Sequence, residues 1–128
     1  MSELHVLDAS AVLCVFNSEP GAERVRSVWR ASVIGAVNLC EVATKLAESG
    51  LTPEEAGVAV RRLRLDVLPF DLKLAERAAA LRPATRRLGL SLGDRACMAL
   101  AIELGATAVT TDRAWADLDV GVKVLVLR

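Results

Sequence analysis

Short runs typical of β-strands alternate with longer helical runs along the whole chain, and this alternation restricts the fold more than any other feature of the sequence. The predicted strands lie at residues 5–7, 33–34, 66–70, 108–111 and 122–127. Parallel strands need a crossover connection, which is usually a helix. The pattern therefore predicts an α/β fold with three α/β/α layers and a mainly parallel central sheet.

Local start and stop signals mark two of the helices clearly. Thr52 and Glu55 have the spacing of a capping box, which predicts a helix that begins directly after Thr52. Ser91 opens another helix over residues 92–104, and Gly105 ends it. This second helix is apolar nearly all round, so it is expected to be buried inside the domain.

The length and composition fit one domain with one hydrophobic core. The chain has 128 residues, of which 53% are hydrophobic, and we expect a single domain over residues 1–128. Its 16 Lys and Arg balance its 16 Asp and Glu, so the net charge does not draw it toward nucleic acid or an anionic membrane. Arg clusters at residues 61–64 and 82–87 are interpreted either as solvated helix faces or as phosphate contacts.

Cysteine usage and the N-terminal sequence both predict a cytoplasmic protein. Cys14, Cys40 and Cys97 lie far apart in apolar runs, and His5 is the only histidine. A zinc site or disulfide scaffold is therefore not expected, and each thiol is predicted to be a small buried side chain. Asp8 interrupts the first hydrophobic run, so no signal peptide is predicted, and no apolar stretch is long enough to cross a bilayer.

Four acids lie where an α/β sheet usually places its ligand-binding residues. Asp8 and Asp112 directly follow predicted strands, Glu41 lies in the helix after the second strand, and Asp94 lies in the first turn of the buried helix. Ligands bind at the carboxyl ends of parallel strands, so all four are expected at one edge of the sheet. Two carboxylates about 5 Å apart repel by roughly 3 kcal/mol, which favours a bound cation. An oxygen-only set of ligands favours Mg²⁺, which can activate water and stabilise the leaving oxygen of a phosphodiester.

Each acid also has an interpretation that needs no chemistry. Glu41 and Lys45 are spaced as a surface ion pair on a helix, and Asp94 stands three residues after Ser91 as in a capping box. The two acids that follow strands could cap the helices after them. A carboxylate at position 94 shares its helix face with apolar residues and needs a partner, which favours a functional role there.

Several polar residues beside these acids are weaker candidates. Ser10 and Thr110 are placed to support neighbouring carboxylates by hydrogen bonds. Arg95 and Arg113 follow two of the acids directly and are candidates for steering a phosphate backbone, although an Arg next to an Asp is often only a surface ion pair.

The segments VLDASAVL, NLCEV, SLGDRACMALA and VTTDRAW resemble, in order and spacing, the acidic motifs of PIN domains. The resemblance extends over essentially the whole chain and is greatest to VapC toxins of type II toxin–antitoxin systems. It implies an endoribonuclease that requires Mg²⁺, with Mn²⁺ as a possible substitute. It also implies an RNA substrate, a homodimer and a cognate antitoxin that holds the enzyme inactive.

The resemblance also assigns roles to single residues. Asp8 is similar to the first metal ligand of the family and Asp94 to the second main one, while Glu41 and Asp112 are similar to the remaining acids of the cluster. Asp117 is the alternative to Asp112 as the fourth acid. On this basis the catalytic and metal-binding residues are expected to be Asp8, Glu41, Asp94 and Asp112.

Three other functions share some of these sequence features. A PIN nuclease with a housekeeping role in RNA processing would share the chemistry and differ in substrate and partner. A haloacid-dehalogenase-like phosphatase requires a second Asp two residues after the first, and Ser10 occupies that position. A non-catalytic interaction module would use all its acids as caps and surface pairs, and would bind no divalent cation in a titration.

Overall fold

A computed structural model describes residues 3–128 and contains one five-stranded sheet in which every strand pair is parallel. The strands are β1 (His5–Leu7), β2 (Ser32–Gly35), β3 (Asp66–Leu68), β4 (Thr107–Thr110) and β5 (Lys123–Val126). The α-helices are α1 (Ala9–Phe16), α2 (Ala22–Val28), α3 (Ala36–Glu48), α4 (Pro53–Arg62), α5 (Leu72–Ala80), α6 (Arg82–Thr85) and α7 (Leu92–Leu104). Short 3-10 turns cover Trp29–Ala31, Arg86–Leu88 and Arg113–Asp117.

The order of the strands across the sheet is β3-β2-β1-β4-β5. The chain therefore builds the sheet outward from β1 to β3 on one side, and then returns to add β4 and β5 on the other. The change of direction falls between β1 and β4, where Leu7 pairs with Val109. In open parallel sheets, the crevice at the carboxyl ends of such neighbouring strands is where ligands bind.

Neighbouring residues of each central strand point to opposite faces of the sheet, and each face has its own hydrophobic core. Val6, Val33 and Ala108 pack with α5, α7 and Trp115 on one face. Their neighbours Leu7, Ile34 and Val109 pack with helices α1 to α4 on the other face. The α/β/α arrangement predicted from the sequence is therefore confirmed.

Helix α7 begins and ends where the local signals predict. Ser91 accepts a hydrogen bond from the amide of Asp94, and Gly105 ends the helix in the left-handed conformation that favours glycine. The capping box of Thr52 and Glu55 is also present, at the start of α4. Strand β3 is shorter than predicted and ends at Leu68, because Pro69 follows and has no amide hydrogen to continue the ladder.

The prediction that all three thiols are buried is wrong for one of them. Cys14 and Cys97 are buried, whereas Cys40 is exposed on α3. Cys40 lies in an apolar run, but the helix turns that position away from the core, between the buried Asn38 and Val42.

The part of the chain from residue 3 onward has no helix long and apolar enough to cross a membrane.

Candidate active site

Asp8 lies between the end of β1 and the start of α1, beside β4. Its amide continues the parallel ladder by donating to the carbonyl of Val109 at 2.9 Å. The residue is only 5% exposed, and although it stands at the N-cap position of α1, its side chain makes no capping hydrogen bond. The carboxylate instead accepts hydrogen bonds from Ser10, at 2.7 Å, and from Thr110, at 3.0 Å, both at Oδ2.

The protons of these two hydroxyls are directed at Asp8 by their other partners. The Ser10 hydroxyl oxygen accepts from the amide of Thr111 at 3.1 Å, and the Thr110 hydroxyl oxygen accepts from the amide of Asp112 at 3.1 Å. With these acceptor sites used, each hydroxyl can donate its single proton to the carboxylate, and the oxygens of Ser10 and Thr110 also lie 3.3 Å from each other. The support predicted for Ser10 and Thr110 is confirmed, and it leaves Oδ1 of Asp8 without a hydrogen bond from residues 3–128.

Asp94 reaches the same edge of the sheet from the first turn of α7. Its Oδ2 accepts from the amide of Ser91 at 2.8 Å, and its own amide donates to the Ser91 hydroxyl at 3.2 Å. The capping box considered as an alternative is therefore present. It uses one oxygen of the carboxylate, so it does not exclude a second role for the other.

Glu41 comes from α3, which packs against α7. Its side chain is half-buried, and its carboxylate lies directly on Gly93, where a Cβ atom would overlap both oxygens. Oε1 accepts a hydrogen bond from the amide group of Asn38 at 3.0 Å. The surface pair predicted between Glu41 and Lys45 is not formed, because Lys45 pairs with Glu48 at 3.5 Å instead.

The charges of Asp8, Glu41 and Asp94 act on one another. Burial raises the pKa of Asp8 from its ordinary value of 3.8 to about 6, and the charges of Asp94 and Glu41 add to the rise against the lowering effect of the Ser10 and Thr110 hydrogen bonds. Burial also raises the pKa of Glu41, with a further contribution from Asp94. All three acids raise the pKa of the fully buried Cys97 thiol, although burial is the larger cause. The three carboxylates are therefore near enough for their charges to act on one another and on Cys97.

None of the four predicted site acids forms an ion pair within the described part of the chain, whose ion pairs involve other acids. In their present rotamers, no group of three His, Cys, Asp or Glu side chains among residues 3–128 is arranged to hold one ion. One oxygen of Asp8 accepts from Ser10 and Thr110, and one oxygen of Asp94 accepts from Ser91. The three acids therefore interact without an ion-pair partner, but they do not form a complete set of metal ligands.

Asp112 lies at the same sheet edge but outside this group. It follows β4, its side chain is exposed, and its Oδ1 accepts from the amide of Ala114 at 2.9 Å, so it caps the 3-10 turn Arg113–Asp117. Its connection to Asp8 runs through Thr110, which binds both residues. Asp117 is exposed at the far end of that turn.

The two arginines proposed to steer a phosphate backbone have other partners. Arg95 is half-buried and donates to the carbonyl of Ala78 at 3.1 Å, so it joins α7 to α5. Arg113 donates to the backbone carbonyl of Arg128 at 3.0 Å. These contacts hold both guanidinium groups to the fold.

Two residues of the site were not predicted from the sequence. Asn38 is fully buried and binds both Glu41 and the carbonyl of Gly93, and Gly93 provides the space for the Glu41 carboxylate. The available signals were a polar residue three positions before Glu41 on one helix face, and a glycine inside a helix, where it costs about 1 kcal/mol relative to alanine. Neither signal indicates its partner.

An open cleft of about 520 Å³ borders the acid group along α3 and the start of α7. Its walls are mostly apolar and include Val37, Cys40 and Leu92, with Glu41 at one end. Leu92 is 53% exposed there. Glu41 therefore lines a surface groove that a polymer could reach, and not an enclosed cavity.

Comparisons with known proteins agree with this fold. The family model described as "PIN domain" matches residues 5–121. No curated protein matches the chain by sequence.

Several solved structures share the fold. DNA-bound VapBC from Salmonella typhimurium is 22% identical, with a TM-score of 0.76 over 99% of this chain and 100% of that chain. A toxin–antitoxin complex from Klebsiella pneumoniae is 18% identical, with a TM-score of 0.75 over 97% and 98%. VapC20 from Mycobacterium tuberculosis, described as a sarcin-ricin loop cleaving toxin, is 19% identical, with a TM-score of 0.70 over 93% and 98%. The family model covers most of the sequence and the fold agrees with it, so the chain belongs to the PIN domain family.

Proposed function

We propose that this chain is a magnesium-dependent endoribonuclease and the toxin component of a type II toxin–antitoxin system. The observation that supports this most is that the Glu41 carboxylate lies on Gly93, next to Asp94, and that the charges of both acids act on Asp8 at the sheet edge where the strand order reverses. None of them has an ion-pair partner among residues 3–128. Such a group is costly unless a cation binds to it.

The donor atoms fit Mg²⁺ better than a softer metal. The Cys97 thiol, whose pKa the three acids raise, is fully buried, and burial raises that pKa well above the ordinary value. It therefore does not offer a thiolate to the metal, and the carboxylate oxygens are the expected ligands. Mg²⁺ keeps several waters and needs only a few carboxylates besides substrate phosphate, so a site with few protein ligands is sufficient for it. Mn²⁺ prefers similar ligands and is the expected substitute.

In the proposed mechanism Asp8 and Asp94 hold the metal ion, and Glu41 and Asp112 complete the site or orient the attacking water. When bound, Mg²⁺ supplies Lewis-acid chemistry, which stabilises charge on a phosphate oxygen and makes water a stronger acid. Water adds to phosphorus in line with the leaving group, the bond to the 3′ oxygen breaks, and that oxygen takes up a proton. The products are a 3′-hydroxyl and a 5′-phosphate. The hydrogen bonds from Ser10 and Thr110 keep Asp8 in a fixed orientation for this role.

The proposed RNA contact lies beside the start of α7. Arg82, Arg86 and Arg87 are exposed and form no ion pair with a described residue. The guanidinium of Arg82 donates to the carbonyl of Leu90 at 3.1 Å, one residue before the Ser91 cap that binds Asp94. These arginines place positive charge in the segment just before α7, where it can bind the RNA backbone.

The decisive experiment measures RNA cleavage at increasing Mg²⁺ by the wild type, Asp8→Asn and Asp94→Asn. We expect cleavage that requires the divalent ion and is lost in both variants. Full activity in both variants, or cleavage that persists in EDTA, would remove the proposed mechanism. Mapping RNA ends after brief induction in cells would identify the target, and 5′-phosphate ends would agree with the proposed products.

The proposed protein partner is an antitoxin that covers apolar surface on the early helices. Leu51 and Val58 are 36% and 38% exposed and line a groove of about 390 Å³ along α4. We expect growth arrest on expression of this chain, relieved by the neighbouring small reading frame, and weaker relief after Val58→Asp. An active nuclease that causes no arrest would instead be a housekeeping PIN nuclease.

The proposed homodimer is tested by measuring the mass of the purified chain in solution.

A further inference from the structure

Glu41 is held in place by two residues with no charge of their own. Asn38 donates one amide proton to Oε1 of Glu41 at 3.0 Å and the other to the carbonyl of Gly93, also at 3.0 Å. Both donors of the amide are therefore used, and they link α3 to the first turn of α7. We call Asn38 and Gly93 the Glu41 seat.

The orientation of the Asn38 amide is fixed by its surroundings. Rotating the group by half a turn would place its carbonyl oxygen against the Glu41 carboxylate and the Gly93 carbonyl, which are both acceptors. In the orientation present, Oδ1 has no hydrogen-bond partner among residues 3–128, although Asn38 is fully buried. A buried acceptor without a partner costs free energy and calls for an explanation. The two hydrogen bonds that the amide nitrogen donates to Glu41 and Gly93 provide that explanation.

Gly93 is the second half of the seat. It lies inside α7, where glycine is a poor helix former, and it is buried. A Cβ atom at this position would overlap both oxygens and the carboxyl carbon of Glu41. The missing side chain therefore lets a carboxylate from α3 lie on the helix turn that also contains Asp94. Two locally unfavourable choices, a buried half-satisfied amide and a helical glycine, meet at the same carboxylate.

We propose that Asn38 and Gly93 are positioning residues that hold the Glu41 carboxylate against the first turn of α7 and so set its place relative to Asp94. The proposal rests on the proposed function, because it assigns to the seat the task of arranging two acids around one divalent ion. Neither residue touches the reacting atoms in this role. Residues that orient metal ligands in this way typically change metal affinity by about 10-fold to 100-fold when substituted.

The test measures Mn²⁺ binding by calorimetry without RNA, together with urea unfolding, for the full chain. Asn38→Leu keeps the branched shape of the side chain and removes both donors, so we expect about 10-fold weaker Mn²⁺ binding and some loss of stability, because the Gly93 carbonyl loses its donor. Gly93→Ala improves helix propensity but displaces the carboxylate, so we expect a similar loss of affinity. Gly57→Ala is the matched control, because its Cβ would meet only the end of Arg61 at 3.4 Å, and it should leave Mn²⁺ affinity unchanged.

A double-mutant cycle separates positioning from general damage. In a Glu41→Gln background, which no longer has the charge to be positioned, Gly93→Ala should lower Mn²⁺ affinity little further. In a Glu41→Asp background, the shorter side chain should restore part of the affinity that Gly93→Ala removes. The proposed positioning role would be wrong if Gly93→Ala lowered Mn²⁺ affinity as much in the Glu41→Gln background as in the wild type, and if the Glu41→Asp background restored none of the lost affinity.

The failure of this inference is distinguishable from the failure of the proposed function. If the wild type cleaves RNA with Mg²⁺ while Asn38→Leu and Gly93→Ala bind Mn²⁺ as tightly as the wild type, only the seat is wrong. If the wild type neither binds Mn²⁺ nor cleaves RNA with any divalent ion, the proposed function is wrong, and the positioning role of Asn38 and Gly93 is wrong with it.

Discussion

The chain contains two capping boxes of the same design that lie in different surroundings. At the start of α4, the Thr52 hydroxyl accepts from the amide of Glu55, whose carboxylate accepts from the amide of Thr52. At the start of α7, Ser91 and Asp94 make the same two bonds. Locally the two acids do the same work, because each satisfies a free amide at a helix end.

The two acids differ in what lies around them. Glu55 is exposed, and its helix packs mainly on α3. Asp94 is half-buried and faces Asp8 and Glu41, and its charge helps to raise the pKa of both. A capping box therefore explains why an acid is at its position in both helices, but only the neighbours across the fold decide whether that acid has a second role.

The largest expected effect is a difference in RNA cleavage between variants of Asp94 and of Glu55. Asp94→Asn keeps an oxygen for the cap but removes a charge that the proposed metal site needs. Loss of about 3 kcal/mol of transition-state stabilisation would lower RNA cleavage by about 100-fold or more. Glu55→Gln makes the equivalent change on α4 and should cleave at the wild-type rate. Similar losses in initial cleavage rate for both variants would show that the comparison describes stability and not function.

The second prediction concerns pH and the buried acid that Asp94 faces. Because the folded-state pKa of Asp8 is raised to about 6 from 3.8, its contribution to stability is greatest below about 3.8 and is lost as the pH rises through 6. Asp8→Asn has no such loss and can still accept from Ser10 and Thr110. At pH 8 without divalent ions, the variant should be more stable by up to about 3 kcal/mol, and at pH 4 the difference should vanish.

Urea unfolding of the wild type and Asp8→Asn across this pH range checks the prediction. Addition of Mn²⁺ at pH 8 should stabilise only the wild type and narrow the difference between them. A variant that is less stable than the wild type at pH 8 in EDTA would contradict the electrostatic account of the acid group.

The third prediction compares the arginine pairs near the two capping boxes. Arg86 and Arg87 lie just before α7, and Arg61 and Arg62 lie in the last turn of α4. Replacing Arg86 and Arg87 by Ala should weaken RNA binding about 10-fold and lower the salt slope by roughly 1.4, the value for two contacts on a single strand. The double replacement of Arg61 and Arg62 should leave both quantities unchanged, as measured by fluorescence anisotropy from low to high salt. Equal losses for both pairs would mean that RNA binding is not confined to the α7 side.

The smallest expected effect returns to the capping residues. Thr52→Ala and Ser91→Ala each remove an N-cap hydroxyl and should lower the free energy of unfolding by about 1 kcal/mol. Only Ser91→Ala should also weaken Mn²⁺ binding slightly, because the turn that it loosens contains Asp94. The two variants are compared by urea unfolding and by calorimetry with Mn²⁺, and a weakening of Mn²⁺ binding by Thr52→Ala would remove the distinction.

The predictable parts of this molecule were those that depend on residues near each other in the chain. The strands β1, β4 and β5 and the start and end of α7 follow from runs of apolar residues, caps and glycine. The three-layer arrangement follows from strand–helix alternation, since parallel strands need helical crossovers. The association of Asp8 and Asp94 with the acidic motifs of PIN domains was also visible in the sequence.

Features that depend on how separate elements pack together were not predictable in this way. The exposure of Cys40, the absence of the Glu41–Lys45 pair and the outer position of Asp112 each differ from the simplest interpretation of the sequence. Asn38 and Gly93 gave no sign of their common partner. Their significance exists only when residues 55 positions apart are brought into hydrogen-bond contact.

The sequence by itself determined where the main helices and strands lie and which residue types were available for chemistry, because caps, periodicity and turn residues act over three or four positions. The tertiary structure decided which carboxylates face one another, which hydroxyls support them and which acid remains at the surface. The physical reason is that charge repulsion, burial and shared hydrogen bonds depend on distance in space, and distance in space between separate elements is set by the packing of the whole fold.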